Sequence, residues 1–185
     1  MLIHTGVPLD EFEITDVPIK FYGENLVHTI QVGDRSKEKL VLVHGYGGSG
    51  LIFWPIIKTL AEHYHLIMVD ILGMGGSSWP KIRINDGASA DIFLCEFLET
   101  WRKAFGGITN FILAGHSFGG YTAGIYACKY HRHIKKLLML SPIGVNSKPD
   151  NFNLDKENDS IPVEKRWPMI TNMLRPAMFK LKLSP

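Results

Sequence analysis

The chain has 185 residues, 45% of them hydrophobic, with 20 basic and 18 acidic side chains and a formal net charge of +2. That length holds one domain with a proper core, and the even charge balance, with no basic block, argues against a nucleic-acid partner. No apolar run reaches bilayer length, and residues 1–16 turn acidic too early for a signal peptide. Neither a span nor a leader is expected, and attachment to a membrane surface stays open.

In chain order, "ENLVHTIQVGD" alternates and then turns, predicting a strand and a loop at "GDRSKEK". "KLVLVHG" is a continuous apolar run ending in glycine, as expected of a strand buried on both faces. "LIFWPIIKTLAEHY" has helical spacing, with Pro55 expected in the first turn. "HLIMVD" reads as a second buried strand. "ASADIFLCEFLETWRKAF" reads as a helix whose apolar positions include Ile92, Cys95, Phe97, Leu98 and Trp101. "NFILAG" is a third buried strand, "FGGYTAGIYACKYH" the helix after it, and "IKKLLMLSP" a fourth strand. Cys95 and Cys128 read as two buried thiols in a reducing compartment. This alternation predicts a mainly parallel sheet with right-handed crossovers, whose chemistry sits at the carboxyl ends of its strands. After Gly144 the character changes. A polar stretch without strands leads into a mixed segment broken by Pro168 and Pro176.

Three glycine-bearing turns fall at strand ends: "HGYGG", "DILGMGGSS" and "GHSFGG". In the last, Gly115-His116-Ser117-Phe118-Gly119 fits G-x-S-x-G, between a buried strand and a helix. Such a turn strains the nucleophile's backbone and brings the flanking positions together, which glycine relieves. It holds Ser117 at a helix N-terminus, where amides and the helix dipole favour negative charge. Acyl transfer builds an alkoxide that needs two backbone donors. The expected donors are the amides of Phe118 and Tyr46, with Gly45, Gly47 and Gly48 letting that loop approach the substrate. No metal or organic cofactor is implied.

These turns, in this order and spacing, resemble the α/β-hydrolase superfamily from about Ile19 to Gly144, and Asp70-x-x-Gly73-x-Gly75-x-Ser77 is a mark of its classical branch. With "SPIGVNSKPD" and "SIPVEKRW", the chain looks most like α/β-hydrolase domain-containing proteins 4 and 5. Members of that group act on acylated phospholipids or co-activate a triglyceride lipase. The resemblance implies a cytoplasmic serine esterase or lipase acting on lipid or small acyl esters, able to sit on a membrane or lipid-droplet surface; the sequence names no protein partner. Two departures stand out. The co-activator lacks serine at the nucleophile position, where this chain has Ser117. It also carries a tryptophan-rich N-terminal anchor, whereas Trp54 is the first tryptophan here. His65-x4-Asp70 matches an acyltransferase pattern only by chance, since it lies on a buried strand.

A serine hydroxyl needs a positioned base. In this fold the order is Ser, acid, His, and only His131 and His133 follow Ser117. They lie about 20 Å along the helix, far beyond the ~3 Å reach of a hydrogen bond. His116 is expected to point away and pack, and His44 to order the oxyanion loop. The acid and histidine are therefore expected outside this chain, which reads as C-terminally truncated. Residues 1–145 would be the N-terminal part of the core and 146–185 the start of a lid, with "KKLLMLS" left as an exposed edge. Asp150, Asp155 and Asp159 read as solvated loop residues. Two alternatives remain: a non-catalytic lipid-binding or lipase co-activator protein, and a lysophospholipid acyltransferase.

Overall fold

The computed structural model describes residues 2–144, apart from 83 and 85. The segment expected to start a lid, with its three aspartates, lies outside the described residues.

Six strands form one sheet: β1 (Glu13–Lys20), β2 (Glu24–Val32), β3 (Lys39–Val43), β4 (His65–Val69), β5 (Phe111–His116) and β6 (Ile134–Leu140). Their order across the sheet is β1-β2-β4-β3-β5-β6. β3 to β6 run parallel, whereas β1–β2 and β2–β4 are antiparallel. β1 has no counterpart among the expected elements. Pro18 within it weakens a strand reading, and an edge strand tolerates proline because its outer N–H groups face no neighbour. Among the described residues β6 is the other edge, with Leu138 and Leu140 exposed.

The central strands read as unbroken apolar runs because both faces are covered. Val41, Val43, Ile67, Val69 and Leu113 face α2 (Gly87–Ala104) and α3 (Phe118–Tyr130), which contribute Phe97, Trp101 and Tyr126. Leu40, Leu42, Leu66, Met68 and Ile112 face Phe53 and Ile57 on the opposite side. Trp101 buries its ring and donates its indole N–H to Thr29 Oγ1 (3.0 Å), so its one polar atom is satisfied. Asp86 caps α2 by accepting from Ser89 N–H (2.7 Å).

Three expectations on packing are corrected. The single helix over 51–64 is a 3₁₀ turn (Gly50–Phe53) followed by a five-residue helix, α1 (Ile57–Ala61). Pro55 lies between them rather than in a first turn; without an N–H it cannot carry the ladder through. Ile92 is 61% exposed, because the inward stripe of α2 runs through Phe93, Phe97 and Trp101. Cys128 is exposed and only Cys95 is buried; α3 turns Thr122, Ala123 and Tyr126 inward and Cys128 away.

Between α2 and α3 lies a buried charge cluster. Glu99 accepts from Arg102 Nε and Nη2 and from the Tyr126 hydroxyl, each at 2.8 Å. Burial alone would raise the Glu99 carboxyl. The Arg102 and Tyr126 hydrogen bonds and the Arg102 charge prevail and hold it down at about 2. Its stabilisation is complete above the unfolded carboxylate range and is lost as pH falls towards 2. Glu99→Gln is expected to cost about 3 kcal/mol at neutral pH and to flatten the loss of stability between about pH 4.5 and 2. Urea midpoints measured across that range check both.

Candidate functional site

The carboxyl ends of β3, β4 and β5 lie side by side, with Val43 in register with Val69 and Gly115. Each runs into one of the three glycine-bearing turns.

Ser117 sits between β5 and α3 with φ 54° and ψ −115°, a left-handed backbone that a side-chain-bearing residue adopts only under constraint. The constraint is visible. Ser117 N–H donates to Leu140 O (2.9 Å), and Ser117 O accepts from Tyr121 N–H (3.1 Å) and Ile143 N–H (3.4 Å). A Cβ on Gly115 would collide with the carbonyl of Gly119, and one on Gly119 with the carbonyls of Val43 and His44. Glycine at both positions lets the start of α3 rest directly on the end of β3. Ser117 is half-buried, and its Oγ has no hydrogen-bond partner among the described residues. The Phe118 N–H, at the first position of α3, has no backbone acceptor among them either.

The "HGYGG" turn lies against this serine. A Cβ built on Gly45 would stand 3.4 Å from Ser117 Cβ and 3.3 Å from His116 Nδ1. Gly48 N–H closes the turn on Gly45 O (3.1 Å), and Gly47 has a positive φ of 67° with open space around it. Tyr46 meets the Phe118 ring edge-on at 6.1 Å, and Phe118 stacks on Tyr121 at 6.5 Å. Burial pushes the Tyr46 hydroxyl up. Tyr121 donates its hydroxyl to Asp91 Oδ1 (2.6 Å); burial and then that carboxylate push it up to about 12. An aromatic wall thus stands beside Ser117.

His44 is fully buried with both ring nitrogens engaged. Ile71 N–H donates to Nε2 (3.0 Å), so the proton is on Nδ1, which donates to Gly45 O (2.7 Å). Burial lowers its proton affinity, outweighing its bond to Gly45 O and the nearby Asp70. This neutral ring ties the Gly45 loop to the loop after β4 and has no lone pair left for Ser117.

Asp70 holds that second loop. Its buried carboxylate accepts from Gly50 N–H (2.6 Å) and Gly76 N–H (2.8 Å), and its carbonyl accepts from Ser77 Oγ (2.7 Å). Gly75, at φ 55°, presses against the carboxylate so closely that a Cβ would collide with it. Gly73, at φ 81°, turns the loop. Ser77 Oγ and Ser78 Oγ accept from His28 N–H and Leu26 N–H, both at 2.9 Å, stitching the loop to β2. The sequence reading singled out this motif without finding the carboxylate's grip on two turns.

The chain's eight histidines all lie among the described residues, and none is hydrogen-bonded to Ser117. His116 corrects an expectation: it is exposed rather than packed, at the last residue of β5, where it still pairs with Leu140 of β6. His131 is exposed as expected, but His133 is largely buried, 3.9 Å from Glu99 Oε1. His65 is buried at the start of β4 and Asp70 follows its end, so the two stand at opposite ends of the strand. Among the described residues no group of acidic, histidine and cysteine side chains could hold a metal.

Comparison with known proteins accords with this geometry. The family model described as the alpha/beta hydrolase fold matches residues 39–165. The chain is 35% identical over 132 residues to the human (lyso)-N-acylphosphatidylethanolamine lipase, covering 70% of this chain and 38% of that protein. It is 32% identical over 142 residues to human 1-acylglycerol-3-phosphate O-acyltransferase ABHD5, covering 75% and 40% respectively. The chain thus spans about two fifths of the length of these relatives. Carboxylesterase CesB from Bacillus subtilis superposes with a TM-score of 0.67 at 20% identity, over 85% of this chain and 50% of that one. With the parallel sheet and its three turns, these matches show that the chain belongs to the α/β-hydrolase fold family.

Proposed function

We propose that Ser117 is the nucleophile of an acyl-ester hydrolase acting on lipid or phospholipid acyl groups. The observation that carries this reading is the backbone of Ser117, held at positive φ with its Oγ uncommitted at the start of α3. Attack on an acyl carbonyl would form the Oγ–carbon bond and an oxyanion. The Phe118 amide and the Tyr46 amide, on the loop facing Ser117, would hold that oxyanion. The aromatic wall of Tyr46, Phe118 and Tyr121 suits an acyl chain more than a charged substrate. Names of relatives support the lipid class: one is a lipase of an N-acylated phospholipid, another an acyltransferase to an acylglycerol phosphate.

The proton on Ser117 needs a base. His44 is committed at both nitrogens and no other histidine among the described residues is bonded to the serine, so the test supplies a base in solution. We place the protein in the cytoplasm, with lipid as its partner.

The test is product analysis with lysophosphatidylethanolamine vesicles and added imidazole as a surrogate base. Free fatty acid is expected, and Ser117→Ala should abolish it. Acyl groups appearing instead on added lysophosphatidic acid would favour the transferase reading suggested by the second relative. Neither product from a folded, vesicle-bound chain would leave a non-catalytic lipid-binding protein.

A further inference from the structure

From Gly50 to Ile57 the chain is apolar on both of its sides. Gly50, Phe53 and Ile57 face inward; Phe53 and Ile57 join the core, and a Cβ on Gly50 would stand 2.7 Å from Met68 Cβ. The outward positions are Ile52 (37% exposed), Trp54 (39%), Pro55 and Ile56 (44%). A surface turn ordinarily puts polar side chains there; a segment that is apolar all round belongs in an interior or at an apolar boundary. The N-terminal 3₁₀ turn (Leu2–His4) extends the same patch. His4 meets the Trp54 ring edge-on at 6.5 Å, and the neighbouring Ile3 is 68% exposed.

Two observations point to the occupant. The nearest charged side chain is Lys58, exposed four residues beyond Trp54, and the first acid after it is Glu62. An aromatic ring amid aliphatic side chains with a flanking cation is the composition that settles at a lipid headgroup boundary. The patch is also continuous with the turn facing Ser117. Ile52 Cγ2 stands 3.2 Å from where a Cβ on Gly48 would be, and Ser49 Oγ accepts from Leu51 N–H (3.3 Å) at the start of the segment. A surface seated on Ile52, Trp54 and Ile56 would bring the serine's loop close to the lipid phase.

We propose that Ile3, Ile52, Trp54, Ile56 and Lys58 form the face by which this protein docks on an anionic phospholipid surface. The proposal deepens the lipid reading of the Ser117 site and rests on it for the identity of the partner. Docking itself needs no catalysis, so the two can fail separately.

The experiment is co-sedimentation of the full chain with phosphatidylcholine vesicles containing about a quarter phosphatidylserine. Trp54→Ser combined with Ile56→Ser is expected to weaken partitioning by about tenfold or more. Lys58→Gln should weaken it by a smaller factor that vanishes at high salt. Ile14→Ser, which removes an equally exposed apolar side chain on β1, should change nothing. Undiminished partitioning of the double variant overturns the proposal. So does a large fall in melting temperature for that variant with partitioning unchanged, which would mean that protein, rather than lipid, covers the patch. Ser117→Ala should partition like the parent chain. If both partition while the parent chain yields no product in the lipid assay, the hydrolase reading falls and the docking face stands.

Discussion

Gly119→Ala is expected to destabilise the fold by about 3 kcal/mol, with the chain partly insoluble. Gly119 is the second residue of α3, where alanine would by propensity alone gain about 1 kcal/mol. That gain is outweighed, because the new methyl would land on the carbonyls of Val43 and His44, main-chain atoms of a central strand end that cannot rotate aside. Relief would require lifting the start of α3 off β3, which also displaces Ser117. Gly124→Ala on the same helix is the control. Its Cβ would meet only the tip of Met139, at 3.1 Å from Cε, and that flexible side chain can move. The second variant is expected to match or exceed the parent's urea midpoint while the first falls well below it. Equal midpoints would show that the close approach of α3 to β3 is not maintained in solution.

Asp70→Ala is expected to cost about 4 kcal/mol, measured by thermal or urea unfolding. The carboxylate accepts from two backbone amides of separate turns, Gly50 N–H and Gly76 N–H, and is itself buried. Its removal leaves the buried Gly50 amide unpaired and frees the Gly76 amide at a partly exposed turn, which is worth more than a single lost hydrogen bond. Asp70→Asn should fall between the two, since its amide oxygen can serve one N–H while its NH₂ confronts the other. The loss should also loosen the turn facing Ser117, because the same carboxylate fixes the 3₁₀ segment that follows it.

The strands that carry the site were legible because a parallel sheet covered on both faces leaves unbroken apolar runs bounded by glycine. "KLVLV", "HLIMV" and "FILAGH" each emerged as strands, in the expected order and direction. β1 was not legible: Pro18 and the alternation of "EITDVPIK" carry the weak signal of an edge, and the strand exists because β2 offers it a partner. The segment around Pro55 misled because its apolar residues fall at helical spacing on both sides, so periodicity could not tell a helix from a chain of turns. Within the site, G-x-S-x-G located Ser117 and its glycines, and the structure supplies the reason for Gly115 and Gly119 in two backbone collisions. The commitment of His44 could not be read from sequence. It depends on the Ile71 amide, 27 residues along the chain, arriving at Nε2.

The most direct measurement is fluorophosphonate labelling of the purified chain, with the modified residue located by mass spectrometry, in the absence and presence of imidazole. The probe reacts only with a serine whose proton is taken up by a base. The account predicts no labelling in plain buffer, because none of the chain's histidines is bonded to Ser117. It predicts imidazole-dependent labelling at Ser117, abolished by Ser117→Ala. Rapid labelling of Ser117 without imidazole would contradict the finding that no histidine is engaged with it. No labelling of the folded chain in either condition would contradict Ser117 as a nucleophile.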